Sequence, residues 1–124
     1  MKKTTSKQPR KQRKWLAKAP LHERHFLVSA ALGKDLKAKY KRNSMPLRKG
    51  DHVKIMRGSM RGHTGEVMKV DLKDYRIYVH GVTAKKADGK EVERSVHPSN
   101  VVITELNDND KERRAILAKT AEAV

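Results

Sequence analysis

Apolar residues two apart mark a series of short stretches through the middle of the chain. Side chains on successive strand residues point to opposite faces, so this spacing predicts half-buried strands. The first covers residues 51–57, with Val53 and Ile55 on one side, and the second covers residues 66–71. Over residues 75–80, Tyr75, Ile77 and Val79 alternate with Arg76, Tyr78 and His80. Val92, Arg94 and Val96 share a face over residues 91–96, and Val101 opens a last strand over 101–106. Lys73 and Asp74 make a tight turn, residues 81–90 a loop, and His97 to Asn100 a further turn. Five short strands with glycine-bearing turns suit a small barrel.

The flanks carry a different period. Pro20 can open a helix at its first turn. The apolar positions Leu21, Phe26, Leu27, Ala30, Ala31 and Leu32 predict one over residues 22–30. Leu36 and Tyr40, four apart, predict a second over residues 33–40 with a lysine-rich opposite face. Asn43 to Pro46 reads as a turn, with Pro46 keeping Met45 extended. Residues 112–123 have high helix propensity behind Asp108 as an N-cap candidate. Ile116 and Leu117 are the only large apolar residues there before Val124, so this helix is marginal unless it docks. Residues 1–14 have no apolar periodicity and are expected to be disordered alone. The expected organisation is a basic, partly helical extension (1–45), a small five-stranded barrel (46–106) and a short helical tail (107–124).

Charge gives this architecture a partner. The 124 residues carry a formal net charge of +16, and 36% are hydrophobic, which allows one small core and no large one. Residues 1–45 hold 14 Lys and Arg against two acids, residues 46–104 hold 12 against seven, and residues 105–124 hold four against five. So basic a chain needs a polyanion, and nucleic acid is the default. An anionic membrane is the competitor, but no apolar run approaches the roughly 18 residues of a span and no signal-peptide core follows Met1. Without cysteine, neither disulfides nor a Cys-based zinc site can form.

The densest candidate site is LRKGDHVKIMRGSMRGHTGEV, residues 47–67. Its central tract sets Gly58, Gly62 and Gly65 among Arg57, Arg61 and His63. Glycines there allow positive φ and close backbone approach, and arginines offer planar charged donors. A plain glycine-rich hairpin loop has the same glycines. Gly50, Val53, Ile55, Gly58, Gly62, Gly65 and Val67 resemble the KOW motif, an element of small SH3-like barrels in ribosomal proteins and transcription elongation factors.

Three further stretches sharpen the resemblance: SMPLRKGD at 44–51, VHPSNVVIT at 96–104 and HERHFLVSAALGKDLKAKY at 22–40. Together they resemble the large-subunit ribosomal protein family numbered twenty-four in bacteria and archaea and twenty-six in eukaryotes, over about residues 14–103. The basic arm before the barrel resembles the archaeal and eukaryotic form, and the short, nearly neutral tail the archaeal one. The resemblance implies a mainly β, SH3-like five-stranded barrel with a structural, non-catalytic role in the cytoplasmic ribosome. It also implies binding to the 5′-terminal domain of the large-subunit rRNA early in assembly, and a place among other ribosomal proteins near the polypeptide exit tunnel. Neither cofactor nor small-molecule substrate is implied.

On this reading Arg57, Gly58, Ser59, Arg61, Gly62 and His63 form the loop that lies on RNA, with Arg48, Lys49 and Lys54 beside it. Arg10, Lys11, Arg13, Lys14, Lys18, Lys41 and Arg42 contact phosphates upstream, and Lys85, Lys86 and His97 join from the later loops. Trp15 either stacks on a base or packs against its own helix or the barrel.

Other chemistry has little support. His22 and His25 are three apart but lack a third and fourth ligand, and no metal is expected. Asp71 with Asp74, and Glu91 with Glu93, sit beside basic neighbours and read as solvated or ion-paired. The 58–65 tract lacks the Gly-Lys-Ser/Thr ending of a nucleotide loop. Two competing functions remain. An elongation-factor KOW module normally carries an additional polymerase-binding domain, for which 124 residues leave no room. A small DNA-compacting protein would bind duplex DNA as well as rRNA.

Overall fold

The computed structural model describes residues 4–122. In chain order the elements are α1 (Pro9–Lys18), α2 (Leu21–Leu27), β1 (Ser29–Leu32), α3 (Lys34–Tyr40), β2 (Ser44–Pro46), β3 (His52–Ile55), β4 (Thr64–Asp71), β5 (Arg76–Lys85), β6 (Glu91–Val96), β7 (Val101–Glu105) and α4 (Lys111–Glu122). A 3₁₀ turn at Pro98–Asn100 leads into β7.

All seven strands join one sheet in the order β2-β1-β7-β3-β4-β5-β6. The mainly β fold is as expected, but the sheet has seven strands where a five-stranded barrel was expected. The five expected strands are present as β3 to β7, but the extension adds β1 and β2, and the sheet ends on β2 and β6 without closing. The expected helix over 22–30 stops at Leu27, and Ser29–Leu32 is a strand. The reason is pairing. Ala31 and Leu32 register in parallel with Val102 and Ile103, while Ser29, Ala30 and Ala31 pair antiparallel with Pro46, Met45 and Ser44. Ala30 and Leu32 thereby reach the core, each 2% exposed. Alanine and leucine fit either period, so the unpaired edge of β7 decides. The turn expected at Asn43 to Pro46 gives way to β2 for the same reason.

One apolar cluster gathers Val28 and Leu32 with Val53, Ile55, Val67, Ile77, Val82, Val101 and Ile103, so the sheet bends around a common core. β5 runs five residues past the expected strand end, to Lys85, and the loop expected over 81–90 shrinks to a turn. Tyr75, expected in the strand, instead turns the chain with φ of 56°. Between Tyr78 and Thr83 the β5–β6 register shifts: four residues of β5 face the single Arg94 of β6. A bulge of this size bends a strand and re-aims its side chains.

The ends are fastened to this sheet by arginines. In place of the disorder expected over residues 1–14, α1 begins at Pro9, while residues 4–8 form no helix or strand; residues 1–3 lie outside the described residues. Arg24 of α2 donates to the carbonyls of Ala17 (2.8 Å), Ala19 (2.6 Å) and Lys73 (3.0 Å) and lies over the Tyr75 ring at 5.2 Å. The Tyr75 hydroxyl donates to the Leu16 carbonyl. At the other end α4 docks through Leu117 and Arg113, each 2% exposed. Its N-cap is Asp110, not Asp108: Asp110 Oδ1 accepts from the Glu112 amide at 3.1 Å. That amide, with help from Arg48, lowers the Asp110 carboxyl below its ordinary value, against a smaller opposing effect of burial. The helix expected to reach Ala123 is seen to Glu122, Ala123 lying outside the described residues.

Candidate nucleic-acid interface

The glycine-bearing loop joins β3 to β4 and is built from its own backbone. Ile55 donates to the His63 carbonyl and Gly62 to the Ile55 carbonyl, both at 2.8 Å. The Met56 amide reaches the Asn100 carbonyl at 2.8 Å, tying the loop to the 3₁₀ turn. Gly58 and Gly62 have φ of 97° and 88°, and a Cβ on either would meet no protein atom within 4 Å. Their need for glycine is conformational, and the space above them is open. Gly65 differs: its φ is ordinary, but it lies in β4, where a Cβ would sit 2.8 Å from the His80 carbonyl oxygen. Its need for glycine is close packing of two strands.

The loop's side chains divide into exposed and engaged. Arg57 and Arg61 are exposed, and among the described residues neither side chain makes a hydrogen bond or ion pair. His63 is half-buried, and its Nε2 lies 2.9 Å from the His80 carbonyl oxygen. A carbonyl only accepts, so Nε2 carries the proton there and the ring holds the loop against β5. The Ser59 hydroxyl accepts from Arg94 Nη1 at 2.8 Å. His97 Nδ1 accepts from the Ser99 amide at 3.2 Å, which caps the 3₁₀ turn.

The remaining candidates spread over the surface. Arg48 is ion-paired with Asp110, while Lys49 and Lys54 are exposed on either side of β3's start. Arg42 reaches Thr120 Oγ1 at 3.3 Å, and Lys41 closes α3 in the left-handed region. Lys85 ends β5 and Lys86 sits in the following turn. Arg10, Lys11, Arg13, Lys14 and Lys18 are all exposed along α1, which buries none of its residues. Trp15 is half-buried and lines a shallow hollow with Thr4, Gln12 and Leu16, the packing alternative for this residue.

Two further cations belong with the loop. Arg76 and Arg94 join Arg57 around a cleft of about 190 Å³ beside Ser59, Met60, Val82, His97 and Asn100. Arg76 reads as an ordinary outward strand position in the sequence, whereas Arg94 shares a face with Val92 and Val96. An arginine between Val92 and Val96 on an apolar face was the available signal for Arg94. Nothing local marked Arg76, because the cleft is lined by the loop, β5 and β6 together, which lie apart in the sequence.

Among the described residues, no group of three or more His, Asp or Glu is placed to hold a metal ion, and no helix is long and apolar enough to cross a membrane. The chain therefore presents a cationic helix, a cationic loop with open backbone and an arginine-rimmed cleft. A family model that describes the eukaryotic L26 ribosomal proteins and their archaeal counterparts, numbered twenty-four, matches residues 6–120.

Proposed function

The chain belongs to this family of large-subunit ribosomal proteins, and from that premise we propose that it is a structural, non-catalytic constituent that binds the 5′-terminal domain of the large-subunit rRNA. It enters early in assembly, sits near the polypeptide exit tunnel among other ribosomal proteins, and works in the cytoplasm. The observation that carries this reading is the β3–β4 loop. Arg57 and Arg61 are exposed and have no carboxylate partner among the described residues, next to glycines whose backbone lies open. Such a loop can approach a phosphate backbone or a base edge without displacing any protein contact. Exposed cations along α1 add a second, sequence-independent contact, each releasing counterions when it meets a phosphate.

Binding to a transcript of the 5′-terminal rRNA domain, measured against salt, tests the reading. The wild-type chain should bind with a steep salt slope. Arg61→Ala should weaken binding by about 1–3 kcal/mol for a base contact, or lower the slope by about one for a phosphate contact. Equal affinity for the transcript and for duplex DNA would overturn the reading in favour of DNA compaction.

A further inference from the structure

Most arginines with assigned partners in this fold are committed to fastening it: Arg113 to Asp51, Arg48 to Asp110, Arg24 to main-chain carbonyls. Arg57, Arg76 and Arg94 are not. They come from the loop, β5 and β6, and line one cleft. Among the described residues, the Arg57 and Arg76 side chains make no hydrogen bond or ion pair, and Arg94 reaches only a neutral hydroxyl, Ser59 Oγ. The carboxylate nearest in register to Arg76 is that of Asp71, and its Oδ1 is taken by the Lys73 and Asp74 amides at 3.1 and 3.4 Å. Three cations around one hollow repel each other, and an anion among them relieves that repulsion.

The cleft is more than an anion cradle. Its floor is apolar, made by half-buried Met60 and by Ile55 and Val82, which are 2% and 1% exposed. Asn100 stands at its side, half-buried, with its backbone used by the loop and the 3₁₀ turn. Its side-chain amide makes no hydrogen bond among the described residues, leaving one donor and one acceptor edge for a ligand. About 190 Å³ is below the roughly 300–1,000 Å³ of drug-sized ligand pockets, which restricts the occupant to one flat ring system.

We propose that the cleft between the β3–β4 loop and the β5–β6 bulge binds one unstacked nucleotide of single-stranded RNA. The phosphate lies on Arg76 and Arg94, the base covers the Met60 and Val82 floor, and Asn100 reads the base edge. This rests on the ribosomal reading and adds to it the kind of RNA element recognised: a loop or bulge nucleotide, since bases within a duplex stay stacked.

Two measurements on the full chain test it. In the first, the methyl resonances of Met60 and Val82 are followed while uridine monophosphate or inorganic phosphate is added. The nucleotide should shift both methyls, and phosphate should leave them nearly still. Equal shifts with both additions would reduce the cleft to an anion site and overturn the base pocket. In the second, Arg76→Gln and Arg94→Gln should each weaken binding to a single-stranded hexanucleotide about tenfold and lower its salt slope by about one, as for a lost phosphate contact. Binding to a duplex of the same length should stay within about twofold, because the duplex offers this cleft no unstacked base. An equal loss on duplex and single strand would overturn the proposal. Transcript binding by the wild-type chain separates the two levels: intact transcript binding with no methyl response removes the pocket alone, whereas no transcript binding removes the ribosomal reading.

Discussion

Arg113 of α4 and Asp51, the residue just before β3, form a two-pronged ion pair inside the protein. Nη1 meets Oδ1 at 2.6 Å and Nη2 meets Oδ2 at 2.7 Å, with the two side chains 2% and 0% exposed. The pair is a junction of four segments. Asp51 also accepts from the Arg48 amide at 3.0 Å and the Asn107 amide at 2.9 Å, and Arg113 also donates to the carbonyls of Asn107 (2.9 Å) and Pro46 (3.0 Å). It explains why a helix with so few large apolar residues is ordered: α4 is held by charge as well as by Leu117.

Breaking one side of that pair leaves the other charge buried alone. Arg113→Met should cost about 3–5 kcal/mol in chemical denaturation. Asp51→Ala should cost at least as much, since it also strips two amides of their acceptor. The double variant should fall short of the sum, giving a measurable coupling in the cycle. Additive losses would mean that the two residues act separately.

The α4 cap responds to acid. The Asp110 carboxyl titrates below its ordinary 3.8 in the folded protein, chiefly through the Glu112 amide. A folded-state value below the unfolded one stabilises the fold at all pH above the unfolded value, and that contribution disappears as pH falls through the folded value. The protection of amides in the first turn of α4, relative to their intrinsic exchange, should therefore fall below pH 3.8. Asp110→Asn should abolish that dependence while keeping a neutral cap.

Gly62 and Gly65 should respond differently to the same substitutions. At Gly62 only the positive φ resists, so Asn should be tolerated and Val should cost about 1–3 kcal/mol. At Gly65 the obstacle is the His80 carbonyl oxygen, 2.8 Å from any added Cβ, together with Val79 Cγ1 at 3.0 Å. There Ala alone should cost about 1–3 kcal/mol through overpacking, and Asn should be no better. Thermal unfolding of the four variants distinguishes the two mechanisms.

Arg24 is expected to hold the α1–α2 corner onto the β4–β5 turn. Its three short bonds to Ala17, Ala19 and Lys73 use the planar fork of a guanidinium, which an ammonium cannot reproduce. Arg24→Lys should cost about 2 kcal/mol, near the value of a single charged hydrogen bond. Hydrogen exchange in α1 should rise with it, while exchange in β3 and β7 should not.

Much of the fold is readable without any tertiary contact. Period-two spacing around Val53, Ile77 and Val101 marks strands because side-chain alternation is a property of three or four consecutive residues. The strand Glu91–Val96 forms with the bounds that its alternation predicts. The excess of positive charge is likewise a matter of counting, and the loop is located by its glycines and arginines. By itself, then, the sequence determined the five central strands, the cationic arm and the glycine-bearing loop. Tertiary structure alone decided that residues 29–32 pair with β7 instead of continuing α2, and that Arg113 is buried on Asp51. It alone brought Arg76 and Arg94 to the cleft of Arg57. The physical reason is the same in each case. Strand edges, ion pairs and clefts are made by groups far apart along the chain, and only the register of the folded sheet fixes which of them meet.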